Sequence, residues 1–149
     1  IEMIVALRSG GRNIDVSQAD THIFGYSIGL DMTRRDLQAE MKRLGRPWEV
    51  SKAVEGSAPT SQLHLREETG FITSGIIKLL VNGEIKQESN LNKMIWSVSE
   101  QISILSEYYE LAAGDIIMTG TPAGVGPVKK GDVMLGSIEG LGDLTVTVD

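Results

Sequence analysis

One stretch constrains the fold more than any other: Gly25-Tyr26-Ser27-Ile28-Gly29-Leu30-Asp31-Met32-Thr33-Arg34-Arg35-Asp36-Leu37-Gln38. An apolar, strand-like run leads into one carboxylate, Asp31, and from there into a helix start. Thr33-Arg34-Arg35-Asp36 matches the pattern of a hydroxyl cap answered by an acidic residue three positions on. Leu37, Met41 and Leu44 repeat at helical spacing, and Gly45 with Pro47 stops the helix. The chain must therefore turn from strand to helix at Asp31, and strand ends are where open scaffolds carry functional side chains. Arg35 and Gln38 are three apart and share a helix face. A carboxylate, a guanidinium and an amide so close together suit a hard metal ion and an anionic, carbonyl-rich small molecule.

The rest of the chain reads as short strands with two or three inserted helices. Residues 1–8 form a strand ended by Ser9-Gly10-Gly11, and alternation puts Glu2 on one face with Ile4 and Ala6. Ser17 to His22 reads as one short helical turn, and Tyr26 to Met32 as a strand. Trp48, Val50, Lys52 and Val54 occupy one face of a further strand, where a lysine interrupts an apolar stripe. Val81-Asn82-Gly83-Glu84 is a type I′ hairpin signal. Ile95, Val98, Ile102 and Leu105 space as the core face of a helix over 93–107. Gly114-Asp115 and Gly131-Asp132 each launch a strand, with a stiff loop from Thr119 to Pro127 between them, and residues 138–145 close the chain as a hairpin. The order is α+β, β-rich and mostly antiparallel, in a single domain over residues 1–149.

Composition removes several classes of function. There is no cysteine, so disulfides, thiolate zinc sites and cysteine nucleophiles are excluded. The net charge is −6 with no Lys/Arg block, which argues against nucleic-acid partners. The longest apolar run, Ile76 to Val81, contains Lys78 and is too short to span a bilayer, so no membrane partner is expected. No basic-then-apolar leader opens the chain, which makes a soluble, cytoplasmic protein the expectation. The chain opens in mid-strand, and the expectation is that the N-terminal part of a longer protein precedes it. No Gly-Lys-Ser/Thr follows the 119–127 loop, so no phosphate loop is present. His22 and His64 lack metal-ligand partners at the right spacing and read as a packing and a loop residue.

Each candidate also has a purely structural reading. Asp31 could be a helix cap, Glu2 a solvated strand residue, and Lys52 a stem that snorkels to water. Arg35 could pair with Asp31 or Asp36, and the 119–127 segment could be only a rigid connection.

Five motifs in order tip this balance. They are Gly25-Tyr26 through Asp31-Met32-Thr33-Arg34-Arg35-Asp36-Leu37-Gln38; Pro47-Trp48 through Lys52; Val81-Asn82-Gly83-Glu84; Met94-Ile95-Trp96-Ser97; and Gly114-Asp115-Ile116-Ile117-Met118-Thr119-Gly120-Thr121-Pro122. Together they resemble the C-terminal domain of the fumarylacetoacetate hydrolase family, over nearly the whole chain. Gly45-Arg46-Pro47-Trp48 is similar to the smaller acylpyruvase-like members.

The resemblance implies a mixed β-sandwich or β-roll that forms a homodimer. It also implies Mg²⁺ or Mn²⁺ bound by a Glu-x-Glu strand motif and an aspartate. Glu2 and Asp31 would be two of these ligands; the first glutamate would lie two residues before Glu2, and a lid carrying a His/Glu pair further upstream. Arg35, Gln38, Lys52 and Thr121 match substrate-pocket positions, with Lys52 and Gln38 stabilising oxyanion charge and Thr121 anchoring a carboxylate. The implied substrate is a small 2-oxo acid. The implied reaction is hydrolysis of a C–C bond in an acylpyruvate or fumarylpyruvate. Oxaloacetate decarboxylation, isomerisation and 2-oxo-4-enoate hydration are alternatives on the same site, and a non-catalytic β-domain is the alternative from another class.

Overall fold

The structure is a computed structural model that describes all residues 1–149. In chain order its elements are β1 (Glu2–Leu7), α1 (Val16–Ala19), a 3₁₀ turn (Asp20–His22), β2 (Ile23–Gly29), α2 (Arg35–Leu44) and α3 (Glu49–Lys52). They continue with β3 (His64–Leu65), α4 (Arg66–Thr69), β4 (Ile76–Val81), β5 (Glu84–Asn90), a 3₁₀ turn (Leu91–Lys93) and α5 (Val98–Tyr108). The chain ends with β6 (Ile116–Met118), β7 (Val133–Ile138) and β8 (Gly142–Thr147). They build two four-stranded sheets, ordered β3-β2-β1-β6 and β5-β4-β7-β8, with every pairing antiparallel.

The core lies between the sheets. Met3, Val5 and Leu7 of β1 join Tyr26 and Ile28 of β2 on one side, and Leu79, Met134 and Ile138 meet them from the other. The sheets approach closely at Gly136, where an added Cβ would stand 2.9 Å from Ile1 Cδ1. The opposite face of β1, with Glu2, Ile4 and Ala6, lies outside this cluster but is also buried. A strand covered on both faces explains why β1 reads as continuously apolar apart from Glu2.

Turn chemistry follows the sequence. Asn82 and Gly83 both have positive φ, 53° and 83°, as a type I′ turn requires. Gly45 ends α2 in the left-handed region at φ 63°, its N–H turned back to the carbonyls of Met41 and Lys42. The two Gly-Asp turns are built alike: Asp115 accepts from the Ala112 N–H at 2.8 Å and Asp132 from the Lys129 N–H at 3.0 Å.

Five local expectations change. The strand expected over Tyr26 to Met32 runs from Ile23 to Gly29 and ends two residues before Asp31. The 48–54 segment is a helical turn, not a strand: Ser51 caps back onto the Trp48 carbonyl through both its N–H and its hydroxyl. Trp48 and Val50 are exposed, while Ser51 is fully buried. Thr33 does not cap α2. The helix starts one residue later, with Arg34 at the cap and no side-chain cap bond, and the Thr33 hydroxyl donates to the Asp31 carbonyl instead. His64 lies in the short strand β3, paired with Tyr26. Helix α5 begins at Val98, because Ser97 and Glu100 form a reciprocal capping box there. Ile95 therefore precedes the helix and is 94 % exposed, whereas Ile102 is fully buried.

Ile102→Ala is expected to cost about 2–5 kcal/mol in urea unfolding, as cavity-forming substitutions in a packed core do. Ile95→Ala should stay within about 0.5 kcal/mol of the parent. Equal losses would contradict this division of the stripe.

Candidate active site

The site begins at Glu2, at the start of a central strand. Antiparallel pairing of β6 with β1 sets Met118 opposite Ile4. The chain then leaves β6 alongside Met3, and Thr119 bonds the Met3 carbonyl through both its N–H, at 3.1 Å, and its hydroxyl, at 2.8 Å. That register delivers the next two residues to Glu2. The Gly120 N–H donates to Glu2 Oε2 at 2.8 Å, and the Thr121 hydroxyl donates to Glu2 Oε1. Glu2 is only 5 % exposed. None of the four ion pairs in the structure includes it, and both of its hydrogen bonds come from neutral donors.

Asp31 lies two residues beyond the end of β2. Backbone bonds fix this connection: Leu30 N–H to the Pro59 carbonyl, Met32 N–H to Ser57, and Arg34 N–H to Ser51, at 2.9–3.1 Å. The last of these docks α3 beside the start of α2, and Lys52, the final residue of α3, forms an ion pair with Asp31 Oδ2. At the start of α2, the Arg35 guanidinium donates to Gln38 Oε1 at 3.1 Å. This leaves both amide protons of Gln38 available.

These groups meet at a cavity of about 640 Å³ between the sheets and the α2 entry. Ile1, Asp31, Arg35, Gln87 and Thr121 line it. Glu2 joins through its bond from Thr121, Lys52 through Asp31, and Gln38 through Arg35; neither Lys52 nor Gln38 itself lines the cavity. A second, more apolar cleft of similar volume lies along α5, between Trp96 and Met118, and reaches the first at Thr121. No three His, Asp or Glu side chains form a metal cluster. Of the carboxylates, Asp31 and Asp36 line the cavity, and Glu2 borders it through Thr121.

Two groups at this site escaped sequence reasoning. The Gly120 N–H binds Glu2 from the backbone, which no side-chain pattern reports. Gln87 lies on β5, in a strand without apolar alternation to mark its inward face.

The fumarylacetoacetate hydrolase C-terminal model matches residues 1–149 in full. The chain belongs to this family. Fumarylpyruvate hydrolase of a Ralstonia species is 43 % identical over 148 residues, covering 99 % of this chain and 77 % of that protein. The mitochondrial oxaloacetate tautomerase of Homo sapiens is 38 % identical over 149 residues, covering all of this chain and 67 % of that one. The crystal structure of fumarylpyruvate hydrolase from Pseudomonas aeruginosa, in complex with Mn²⁺ and pyruvate, superposes with a TM-score of 0.97 at 48 % identity. That match covers 99 % of this chain and 63 % of the other, so this chain spans roughly two thirds to three quarters of these family members. The family's α+β, sheet-rich fold is the one observed. No helix is long and apolar enough to cross a membrane.

Removing the Thr121 hydroxyl leaves a buried carboxylate oxygen short of a donor. Thr121→Val should therefore lower unfolding free energy by about 1–3 kcal/mol at neutral pH, and Thr121→Ser should recover most of it. Equal stability of the valine variant in urea would mean that Glu2 does not depend on this bond.

Proposed function

We propose that this chain carries the metal-dependent site of an enzyme that hydrolyses a C–C bond in a small 2,4-dioxo acid of the fumarylpyruvate or acylpyruvate type. The observation that carries this reading is the buried carboxylate of Glu2. It faces no Lys, Arg or His, and the same Thr121 that binds it lines the cavity of Asp31 and Arg35. Burying an uncompensated carboxylate is costly, and a cation is the natural complement. Two hard oxygen donors also fit Mg²⁺ or Mn²⁺, since Mg²⁺ uses one or two carboxylates and keeps its other positions for water and ligand oxygens. The identity to fumarylpyruvate hydrolases supports the choice of substrate class.

Glu2 and Asp31 would hold the ion, which would supply Lewis-acid polarisation of the 2-oxo acid's carboxylate and keto oxygens. Arg35 provides a fixed cation for the anionic substrate. Lys52 and the free amide protons of Gln38, each one contact behind the cavity wall, would turn inward as the donors for oxyanion charge. Thr121, a single rotor whose proton rests on Glu2, can turn that proton to a substrate carboxylate. Water adds to the distal carbonyl, the adjacent C–C bond breaks, and the three-carbon fragment leaves as an enolate that is protonated to pyruvate.

The 38 % identity to an oxaloacetate tautomerase favours a second reading, enolate chemistry on oxaloacetate without hydrolysis. Fumarylpyruvate and oxaloacetate assayed side by side with Mg²⁺ separate the two. In the hydrolase reading only the first yields pyruvate and a second acid at a rate tied to Asp31 and Lys52. Asp31→Asn should abolish metal-dependent turnover. Lys52→Met, which keeps the stem, should lower kcat by about 10²–10³-fold, as for a lost oxyanion donor. Full activity of the methionine variant would make Lys52 only the partner of Asp31. Exposed Ile95 and Trp96 support a homodimer, for which light scattering after gel filtration should give twice the chain mass.

A further inference from the structure

Of the seven side chains of β5 only Gln87 is buried, at 3 % exposure. Its two polar ends go to different parts of the molecule. Nε2 donates to the Pro122 carbonyl at 2.8 Å, and Oε1 accepts from the Ile1 nitrogen at 2.8 Å. Ile1 precedes Glu2, and Pro122 follows Thr121. One amide of the second sheet thus clasps the two segments of the first that meet at the Glu2 carboxylate. We propose that Gln87 is a positioning residue for the acidic site: it fixes the Gly120–Thr121 donors against Glu2 without touching Glu2 itself.

Three observations carry this. A buried amide is costly unless both ends are bonded, and both are. Proline has no N–H, so its carbonyl is the one backbone group by which the second sheet can grip the chain at Pro122. Beyond that point the loop is pressed onto β5 itself, since a Cβ on Gly124 would stand 2.0 Å from the Lys86 carbonyl oxygen. Gln87 and this contact are adjacent on β5. They hold the loop from one side while Thr119 and its neighbours hold it to β1 from the other. Groups that orient metal ligands typically change metal affinity by 10–100-fold when removed.

The inference rests on the reading of Glu2 as a metal ligand, and the experiment separates the two. Mn²⁺ binding is titrated by EPR, with no substrate present, in the full chain and in three variants, each checked for cooperative unfolding. Gln87→Leu should raise the Mn²⁺ Kd by about 10–100-fold. Gly124→Ala, which must lift the loop from β5 with Gln87 intact, should shift Kd in the same direction. Glu2→Gln tests the underlying reading. If it leaves Kd unchanged, Glu2 is no ligand and that reading fails first. If Glu2→Gln weakens binding while a folded Gln87→Leu binds Mn²⁺ like the parent, the positioning role is overturned alone. Should Gln87→Leu fail to fold, Gly124→Ala decides: weaker binding upholds the proposal and unchanged binding overturns it. If neither folds, the clasp is purely structural and the proposal is overturned.

Discussion

The whole arrangement depends on how Glu2 is held. A carboxylate at the start of a strand buried on both faces must find donors within the protein. It finds them in two consecutive groups, the Gly120 N–H and the Thr121 hydroxyl. Both are present because β6 pairs with β1 in one register, Ile4 opposite Met118. A slip of one residue would turn every β1 side chain to the other face and carry Glu2 into the inter-sheet core. The alternating face of Met3, Val5 and Leu7 forbids that slip. Core packing on one face of β1 therefore fixes the placement of the carboxylate on the other. Gln101 adds a brace from α5, its amide donating to the Thr119 carbonyl at 3.1 Å.

The fold was legible where a local rule had only one solution. Asn82-Gly83, Gly45 and the paired Gly-Asp turns each require a particular backbone conformation, and each adopts it. The central strand was legible from its apolar run and Asp31 from its joint between strand and helix. The 48–54 segment was misread because four or five residues do not separate a period of two from one helical turn. Ile95 was misread for a related reason. Its spacing to Val98 is helical, but the capping box of Ser97 and Glu100 outweighs periodicity and begins the helix after it.

Other parts of the site had no local signature. The clasp through Gln87 joins residues 87, 1 and 122, and the backbone donor of Gly120 meets Glu2 from 118 residues further along the chain. Such contacts follow from sheet order, and the crossover that sets β6 beside β1 is invisible to any short window. Lys52 is instructive because the residue stood out in the sequence but its local setting did not. It reaches Asp31 from the end of a helical turn whose apolar neighbours, Trp48 and Val50, face solvent. What marked it was the chemistry of a lysine in an unlikely run, which holds whether the backbone is strand or helix.

The two carboxylates are compensated in opposite ways, and this bears on mechanism. Glu2 is met by neutral dipoles, Asp31 by an ammonium. Lys52 carries three donors on a flexible stem, and only one is needed for the Asp31 oxygen. In the proposed function Lys52 has two possible anionic partners, Asp31 and the oxyanion of a bound 2-oxo acid. The charge left on Asp31 decides between them. Arg35 differs: one of its guanidinium N–H groups bonds Gln38, and no carboxylate pairs with it. The candidate site therefore combines a compact point charge on a flexible stem with a planar guanidinium. In the proposed function the planar guanidinium suits recognition of a carboxylate present throughout the reaction, and the ammonium suits charge that develops only as the bond breaks.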